Sequence, residues 1–241
     1  MMEPDLFDIE RKALSDARRA LETQEANGHR LGLAALIGDY ERVIREMRRL
    51  ISHADRTERE LNRANQRLTE LTQTLDYRSR HDGLTGLLNR ETLIGQAETW
   101  LTTKTLGLII VDIDHFKQVN DRYGHPIGDR ILIEVGRALL AHAPVYGGLC
   151  GRLGGEEFAV IVPAATPIAL MQCATGAAVA IRALRHDQHP GLRVTASFGV
   201  ALAEPGACFD RLYICADDAL YRAKHTGRDR IELVADCIGA D

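Results

Sequence analysis

Apolar residues follow two different rhythms along the chain. Up to about residue 80 they recur every three or four positions. Tyr40, Met47, Ala54, Leu61, Leu68 and Leu75 form one series, and Val43, Leu50, Thr57, Ala64 and Leu71 form a second. That alternation keeps an apolar seam facing a partner helix, as in a coiled coil. Glu41, Arg45, Arg48, Glu58, Arg59 and Glu60 fill the outer positions. Earlier, Phe7, Leu14, Ala17 and Leu21 give one face of a shorter helix. Asn27-Gly28 reads as its stop, because both residue types accept the left-handed conformation. The expectation is a second helix over 31–80, about 70 Å long at about 1.5 Å per residue. A parallel dimer would bury its seam, and an antiparallel hairpin with the first helix is the alternative. Ala54, Thr57 and Ala64 weaken the middle of the seam and leave room for changes of register or twist.

From residue 81 the pattern changes to short apolar runs alternating with helical periods. Asp82-Gly83-Leu84-Thr85-Gly86 reads as a turn. Asn89 is placed to cap a helix carrying Leu93 and Trp100. The run 106–111 has the composition of a buried central strand. Residues 120–129 read as loop, followed by a helix through Leu132, Val135, Leu139 and Leu140. A hairpin over 146–162, a helix over 165–184, a strand over 192–201, a helix over 210–224 and a closing strand over 230–234 complete the reading. This alternation predicts an α/β domain with a mixed central β-sheet surrounded by helices. The expected organisation is a helical coiled-coil stalk at 1–80 and an α/β domain at 81–241.

Composition narrows the function classes. A length of 241 residues suits one or two domains. A formal charge of −4 gives no general nucleic-acid footprint. No apolar run approaches the roughly 18 residues that span a membrane, so no membrane insertion is expected. The opening Met-Met-Glu-Pro-Asp does not read as a secretory signal, and the expected location is cytoplasmic. The cysteines are Cys150, Cys173, Cys208, Cys215 and Cys237. None makes a metal-like pair, so they read as reduced thiols, mostly small buried residues.

Candidate chemistry sits at two places. Gly154-Gly155 lies between two strand-like runs and reads as a tight hairpin loop, since glycine tolerates the positive φ such turns need. Glu156 and Glu157 follow at once. Acids at a hairpin tip suit a cation and a closely approaching phosphate. The second place is the exit of the 106–111 strand, where Asp112, Asp114 and Lys117 follow. If the hairpin neighbours that strand, Asp112 and Glu156 can share a divalent metal. Magnesium typically takes one or two carboxylates and leaves other positions to water and phosphate. The alternative for Asp112 and Asp114 is capping after the strand.

Gly154-Gly155-Glu156-Glu157-Phe158 resembles the signature of the GGDEF family of diguanylate cyclases, in its GGEEF form. Four further stretches resemble the same family in the same order. They are 81–90 (HDGLTGLLNR), 112–129, 196–201 (ASFGVA) and 216–228 with its closing Gly227-Arg228. The resemblance implies condensation of two GTP molecules into cyclic di-GMP. It implies Asp112, the carbonyl of Ile113 and Glu156 as metal ligands for magnesium, with manganese as an alternative and two ions per half-site. Glu156, Glu157 and Lys117 are implied as catalytic. Lys117, Lys224 and Arg228 are implied as triphosphate contacts, with Gly154 and Gly155 beside the phosphates. Asn120 and Asp129 are implied to read guanine, with Phe116 and Leu132 lining the pocket. A carboxylate accepts from the N1–H and amino group of guanine, which adenine does not offer as a pair. The four-residue spacing of Lys224 and Arg228 would put them on one helix face. The alternative is an ordinary basic helix end; for Asp129 it is a helix N-cap.

The resemblance implies a homodimer, because each domain offers one guanine pocket and the product holds two guanines. A cytosolic regulatory protein on the stalk is the expected partner. Two departures stand out. The family's Arg-x-x-Asp product-inhibition motif is replaced by Val145-Tyr146-Gly147-Gly148. The usual Gly-Arg-Asn-Arg reads Gly227-Arg228-Asp229-Arg230. A GTP-binding module without turnover, or a stalk-driven assembly factor, are the competing readings.

Overall fold

The structure is a computed structural model and describes residues 8–22, 26–186 and 189–234. It divides into two compact units, Met1–Thr72 and Gln73–Asp241. Phe7, Cys237 and the side chain of Leu21 lie outside the described residues.

Two helices build the N-terminal region, α1 (Asp8–Glu22) and α2 (Ala26–Arg80). Asn27 and Gly28 lie inside the first turn of α2 and do not stop a helix. One poor helix former costs only about 1 kcal/mol, which a long cooperative helix absorbs. The second helix therefore starts earlier than its apolar pattern suggests. Its seam is open: Tyr40, Met47, Leu50, Leu61, Leu68, Leu71 and Leu75 are each more than half exposed. Pairs such as Glu41–Arg45 and Arg56–Glu60 run along the helix surface. Exposed pairs of this kind contribute well under about 1 kcal/mol each.

The second unit carries β1 (Leu88–Asn89), α3 (Arg90–Leu101), β2 (Leu106–Ile113), α4 (Phe116–Tyr123) and α5 (His125–His142). A 3-10 turn follows at Ala143–Tyr146. Then come β3 (Leu149–Gly154), β4 (Glu157–Pro163), α6 (Pro167–Arg182), β5 (Ala196–Ala203), α7 (Phe209–His225) and β6 (Ile231–Val234). The strands form one sheet in the order β1-β3-β4-β2-β5-β6. Strand β2 runs antiparallel to β4 and β5, while β1–β3 and β5–β6 are parallel. The sheet is mixed, as the alternation of elements predicts.

Every residue of β2 is buried, which explains its unbroken apolar run. Ile109, Val111 and Ile113 pack with Phe158, Val160, Phe198 and Val200 under α4, α5 and α6. Leu106, Leu108 and Ile110 pack with Ala159, Ile161 and Ala201 under α3 and α7. Gly199 lets α7 lie close on β5, because a Cβ there would overlap the main chain of Ala216 and Leu220. That contact sets the C-terminal turns of α7 over the exit of β2.

Residues 120–129 are not a loop. Asn120 lies on α4, and α5 begins at His125, with Gly124 (φ 84°) as the break. Helix α4 is only two turns long and mostly polar, so its period is too brief to read. Strand β5 begins at Ala196, four residues later than expected, although Leu192 and Val194 are buried. Cys150 and Cys173 are buried, Cys215 is half-buried and Cys208 is exposed. Burial pushes the Cys150 and Cys173 thiols up to about 12 and about 11, so both are unreactive packing residues.

Candidate active site

Asp112 is the penultimate residue of β2 and is 7% exposed. In the antiparallel register it stands directly opposite Glu157, the first residue of β4. Like charges directly opposite destabilise a sheet. Glu156 sits in the adjoining turn, and its carbonyl accepts from Ile113 N at 3.4 Å. Gly154 pairs with Glu157, so the two-residue loop is Gly155-Glu156, one position later than the expected Gly154-Gly155. The cause is a register shift between Arg152 and Gly154, and Gly155 adopts φ 50°. The shift puts Glu156 at the tip and leaves Glu157 facing Asp112.

Lys224 of α7 places its Nζ 2.8 Å from Asp112 Oδ2. Burial pushes the Asp112 carboxyl above the usual range; Lys224 draws it down, and Glu156 and Glu157 push it up again. Burial is the largest of these influences and decides the direction, so the carboxyl stays raised despite the ammonium. Beyond Glu157 lies Tyr213 of α7, with the Arg90 guanidinium 5.8 Å from its ring centre. Burial raises the Tyr213 phenol and the Glu157 charge adds to it. Tyr213 carries no sequence signal, because an aromatic on a helix reads as packing, and Arg90 is legible only as the close of the 81–90 stretch.

Asp114 is 6% exposed and accepts from Thr195 Oγ1 and Ser197 Oγ at 2.7 Å and from Asp229 N at 3.0 Å. It does not cap α4, whose N-cap is His115 with no side-chain cap bond. Asp112 is likewise tied to Lys224 rather than to a helix end. Lys224 and Arg228 do not share a continuing helix face. Helix α7 ends at His225, and Gly227 (φ 124°) turns the chain before Arg228 (φ 59°). Arg228 is exposed, and its side chain makes no hydrogen bond or ion pair among the described residues.

On the other side, α4 and α5 bring Asn120 and Phe116 against Gly128, with Leu132 in the same core as Phe116 and Asp129 next to Gly128 in the chain. Gly128 is the enabling residue, because a Cβ there would overlap the Asn120 amide and crowd the Phe116 ring. Phe116 and Leu132 are buried, Asn120 is half-buried and Asp129 is exposed. Asp129 lies inside α5, which begins at His125, so it is not an N-cap. Lys117 is exposed in the first turn of α4.

The signature turn is held from behind. Arg152 donates to the Gly155 carbonyl through Nε at 3.0 Å and Nη2 at 2.7 Å. Its Nη1 reaches both Asp82 carboxylate oxygens at 3.2 and 3.3 Å. Asp82 also accepts from Thr85 N and Oγ1, which closes the turn read over 82–86. Burial raises the Asp82 carboxyl, but the Thr85 and Arg152 bonds outweigh it and hold the group below its usual range. Asn89 caps α3 by accepting from Thr92 N, as expected, and donates to Ser79 O at 2.5 Å. The last turn of α2, the 82–86 turn and the signature turn are thus hydrogen-bonded in series.

The donor set suits a hard divalent cation. Three carboxylates and a strand-end carbonyl lie at one sheet edge, with more negative than positive charge. Among the described residues no group of three or more His, Cys, Asp and Glu side chains is arranged to hold a metal ion by itself. An open, oxygen-only set is what magnesium uses when phosphate and water complete its shell.

The sequence model described as diguanylate cyclase, GGDEF domain, matches residues 79–230. The chain belongs to the GGDEF family. Diguanylate cyclase DgcM of Escherichia coli (strain K12) is 37% identical over 166 residues. The aligned part covers 67% of this chain and 40% of DgcM. Diguanylate cyclase DgcP of Pseudomonas aeruginosa is 37% identical over 158 residues, 63% of this chain and 23% of DgcP. This GGDEF protein therefore spans less than half the length of those relatives. Among solved structures, the coiled coil and GGDEF domain of DgcB from Caulobacter crescentus, in complex with c-di-GMP, has TM-score 0.67 and 28% identity. It covers 73% of this chain and 96% of that one. Diguanylate cyclase SiaD of Pseudomonas aeruginosa, in complex with its activator SiaC, has TM-score 0.62 and 32% identity. That likeness covers 95% of this chain and 85% of SiaD. The long α2 ahead of the GGDEF domain fits a stalk. No helix among the described residues is long and apolar enough to cross a membrane.

Proposed function

We propose that the chain is a diguanylate cyclase, joining two GTP molecules into cyclic di-GMP with release of two pyrophosphates. One observation carries the reading. Asp112 and Glu157 face each other across β2 and β4, with Glu156 in the turn beside them and Lys224 against Asp112. This excess of negative charge at an open sheet edge is stabilised when cation and triphosphate arrive together.

Asp112, the Ile113 carbonyl and Glu156 would hold magnesium or manganese, two ions per half-site. A bound ion supplies Lewis-acid charge at the α-phosphate. Lys117, Lys224 and Arg228 bind the triphosphate, and Gly154 and Gly155 let it approach the turn. Glu157 acts at the attacking 3′-hydroxyl. Asn120 and Asp129 read the guanine edge, with Phe116 and Leu132 as the pocket's apolar lining. Alignment of two nucleotides supplies much of the rate, because both reacting groups are held before the chemistry begins.

The cyclase acts as a homodimer paired along the α2 seam, each protomer bringing one GTP. The open seam from Tyr40 to Leu75 supports this reading. Residues 1–80 are the stalk, 81–241 the catalytic domain, and the protein works in the cytoplasm. A regulatory protein engages residues 5–60 and selects the productive register. The likeness to SiaD, solved with its activator SiaC, supports a protein in that role. Incubation with GTP and magnesium tests the function: cyclic di-GMP and pyrophosphate are expected. GTP binding without product would instead favour a binding module.

A further inference from the structure

Four non-glycine residues among those described have positive φ: His115, Ala164, Arg228 and Asp229. Two are consecutive, Arg228 at 59° and Asp229 at 48°. A side chain in this region crowds its own backbone, and two in succession persist only where neighbours hold them. Asp229 is held from two directions. Its N–H donates to buried Asp114 at 3.0 Å. Arg182, the last residue of α6, donates Nε to Asp229 Oδ1 at 2.7 Å and Nη2 to Asp229 O at 2.9 Å. Asp114 is fixed in turn by Thr195 and Ser197. The pair therefore hangs between the end of β2 and the end of α6, while Arg228 N donates to Ala223 O of α7 at 2.9 Å and Arg230 Nε donates to Arg228 O at 3.3 Å.

Asp112 and Asp114 are two residues apart, so this suspension ties the loop after α7 to the strand end that carries the metal-site acid. The free side chain in the loop is Arg228. We infer that Arg182 and Asp114, acting through Asp229, are positioning residues that hold Arg228 in the left-handed conformation from which it meets the substrate triphosphate. The inference rests on the cyclase reading. It also accounts for Asp229, which stands where the family usually has asparagine. A carboxylate gives Arg182 a charged acceptor beside the main-chain carbonyl it already uses.

Three variants test this: Arg182→Ala, Asp229→Gly and the two combined. The readouts are KM and kcat for GTP, GTP affinity by calorimetry and the thermal unfolding midpoint. The Arg182–Asp229 pair is partly exposed, so Arg182→Ala should raise KM and weaken GTP binding roughly two- to fivefold, with kcat held. Glycine at 229 adopts the left-handed backbone without help. In that background Arg182→Ala should change KM no further. A lower midpoint with unchanged KM would make the pair purely structural and overturn the inference. An equal rise in KM in both backgrounds would mean that Arg182 meets the substrate directly, which also overturns it. In both cases native turnover keeps the cyclase reading intact. A native protein that binds no GTP would overturn both together.

Discussion

The Lys224 ammonium lies 2.8 Å from the Asp112 carboxylate, beside the point where β2 leaves the sheet. One cation thus answers a carboxylate that is buried and also opposed by Glu156 and Glu157. Because the Asp112 pKa is raised on folding, its contribution to stability is complete below the ordinary carboxylate pKa. That contribution is lost as pH rises through the raised value. The native protein therefore spends stability at neutral pH on an ionised Asp112. Asp112→Asn should raise the unfolding midpoint at neutral pH and leave the midpoint in acid little changed. GTP turnover should fall on the order of 10²–10³-fold. Magnesium should raise the native midpoint and not that of the variant. Unfolding scans at several pH values, with and without magnesium, check this; a variant less stable than the native protein at neutral pH contradicts it.

Asp82 has the opposite sign. The Thr85 and Arg152 bonds lower its pKa below the usual value. Its contribution is complete above the unfolded-state value and is lost as pH falls through the lowered one. Asp82→Asn should flatten that acid-side loss and cost about 1–3 kcal/mol at neutral pH, as expected when a charge-assisted bond is lost. Because Arg152 also holds the Gly155 carbonyl, turnover should fall along with stability. Denaturant unfolding at neutral and acid pH measures the first effect, and an unchanged turnover number would sink the second.

The proposed guanine pocket gives a sharper test of recognition. Gly128→Ala puts a methyl group into the Asn120 amide and should weaken GTP binding while the unfolding midpoint moves little. Asp129→Ala should reduce the preference for GTP over ATP. An unpaired donor edge in a partly dry pocket costs about 1–3 kcal/mol. Competition between the two nucleotides reads both variants, and ATP competing equally with GTP in the native protein would refute the assignment.

Much of this architecture is legible in the sequence, for a physical reason. A buried strand such as β2 is apolar nearly throughout, and a helix with one apolar seam such as α2 repeats its apolar positions every three or four residues. The caps and turns at Asn89 and Asp82 are legible because they satisfy backbone groups with characteristic side chains. Several features escaped. Asn27-Gly28 looks like a stop, yet a long helix carries it. Helix α4 is too short to show a period, so Asn120 reads as loop. The one-residue shift at Gly154 depends on pairing between strands, which spacing does not reveal. The same holds for Arg182–Asp229, whose partners lie 47 residues apart. The charged groups of the proposed metal site were visible as residue types, whereas the pairing of Asp112 with Lys224 required the packing of α7 on β5.

The exposed seam predicts dependence on pairing. Leu61→Glu combined with Leu68→Glu places charges where two copies would meet. The variant should be monomeric by light scattering, with its GGDEF domain folded and turnover lost. Full turnover by a monomer at dilute protein refutes the dimer argument.

Val145-Tyr146-Gly147-Gly148 offers neither the arginine nor the aspartate of the family's inhibitory motif. Product inhibition should therefore be weak, and progress curves should run close to substrate exhaustion. An early stall at low product would show that another part of the surface binds the product.

The most direct measurement is the balance of products from GTP and magnesium, followed by chromatography with a pyrophosphate assay. The account predicts one cyclic di-GMP and two pyrophosphates for every two GTP consumed, with almost none from Glu156→Gln under the same conditions. Phosphate and GDP in place of the cyclic dinucleotide, or equal output from Glu156→Gln, would contradict it.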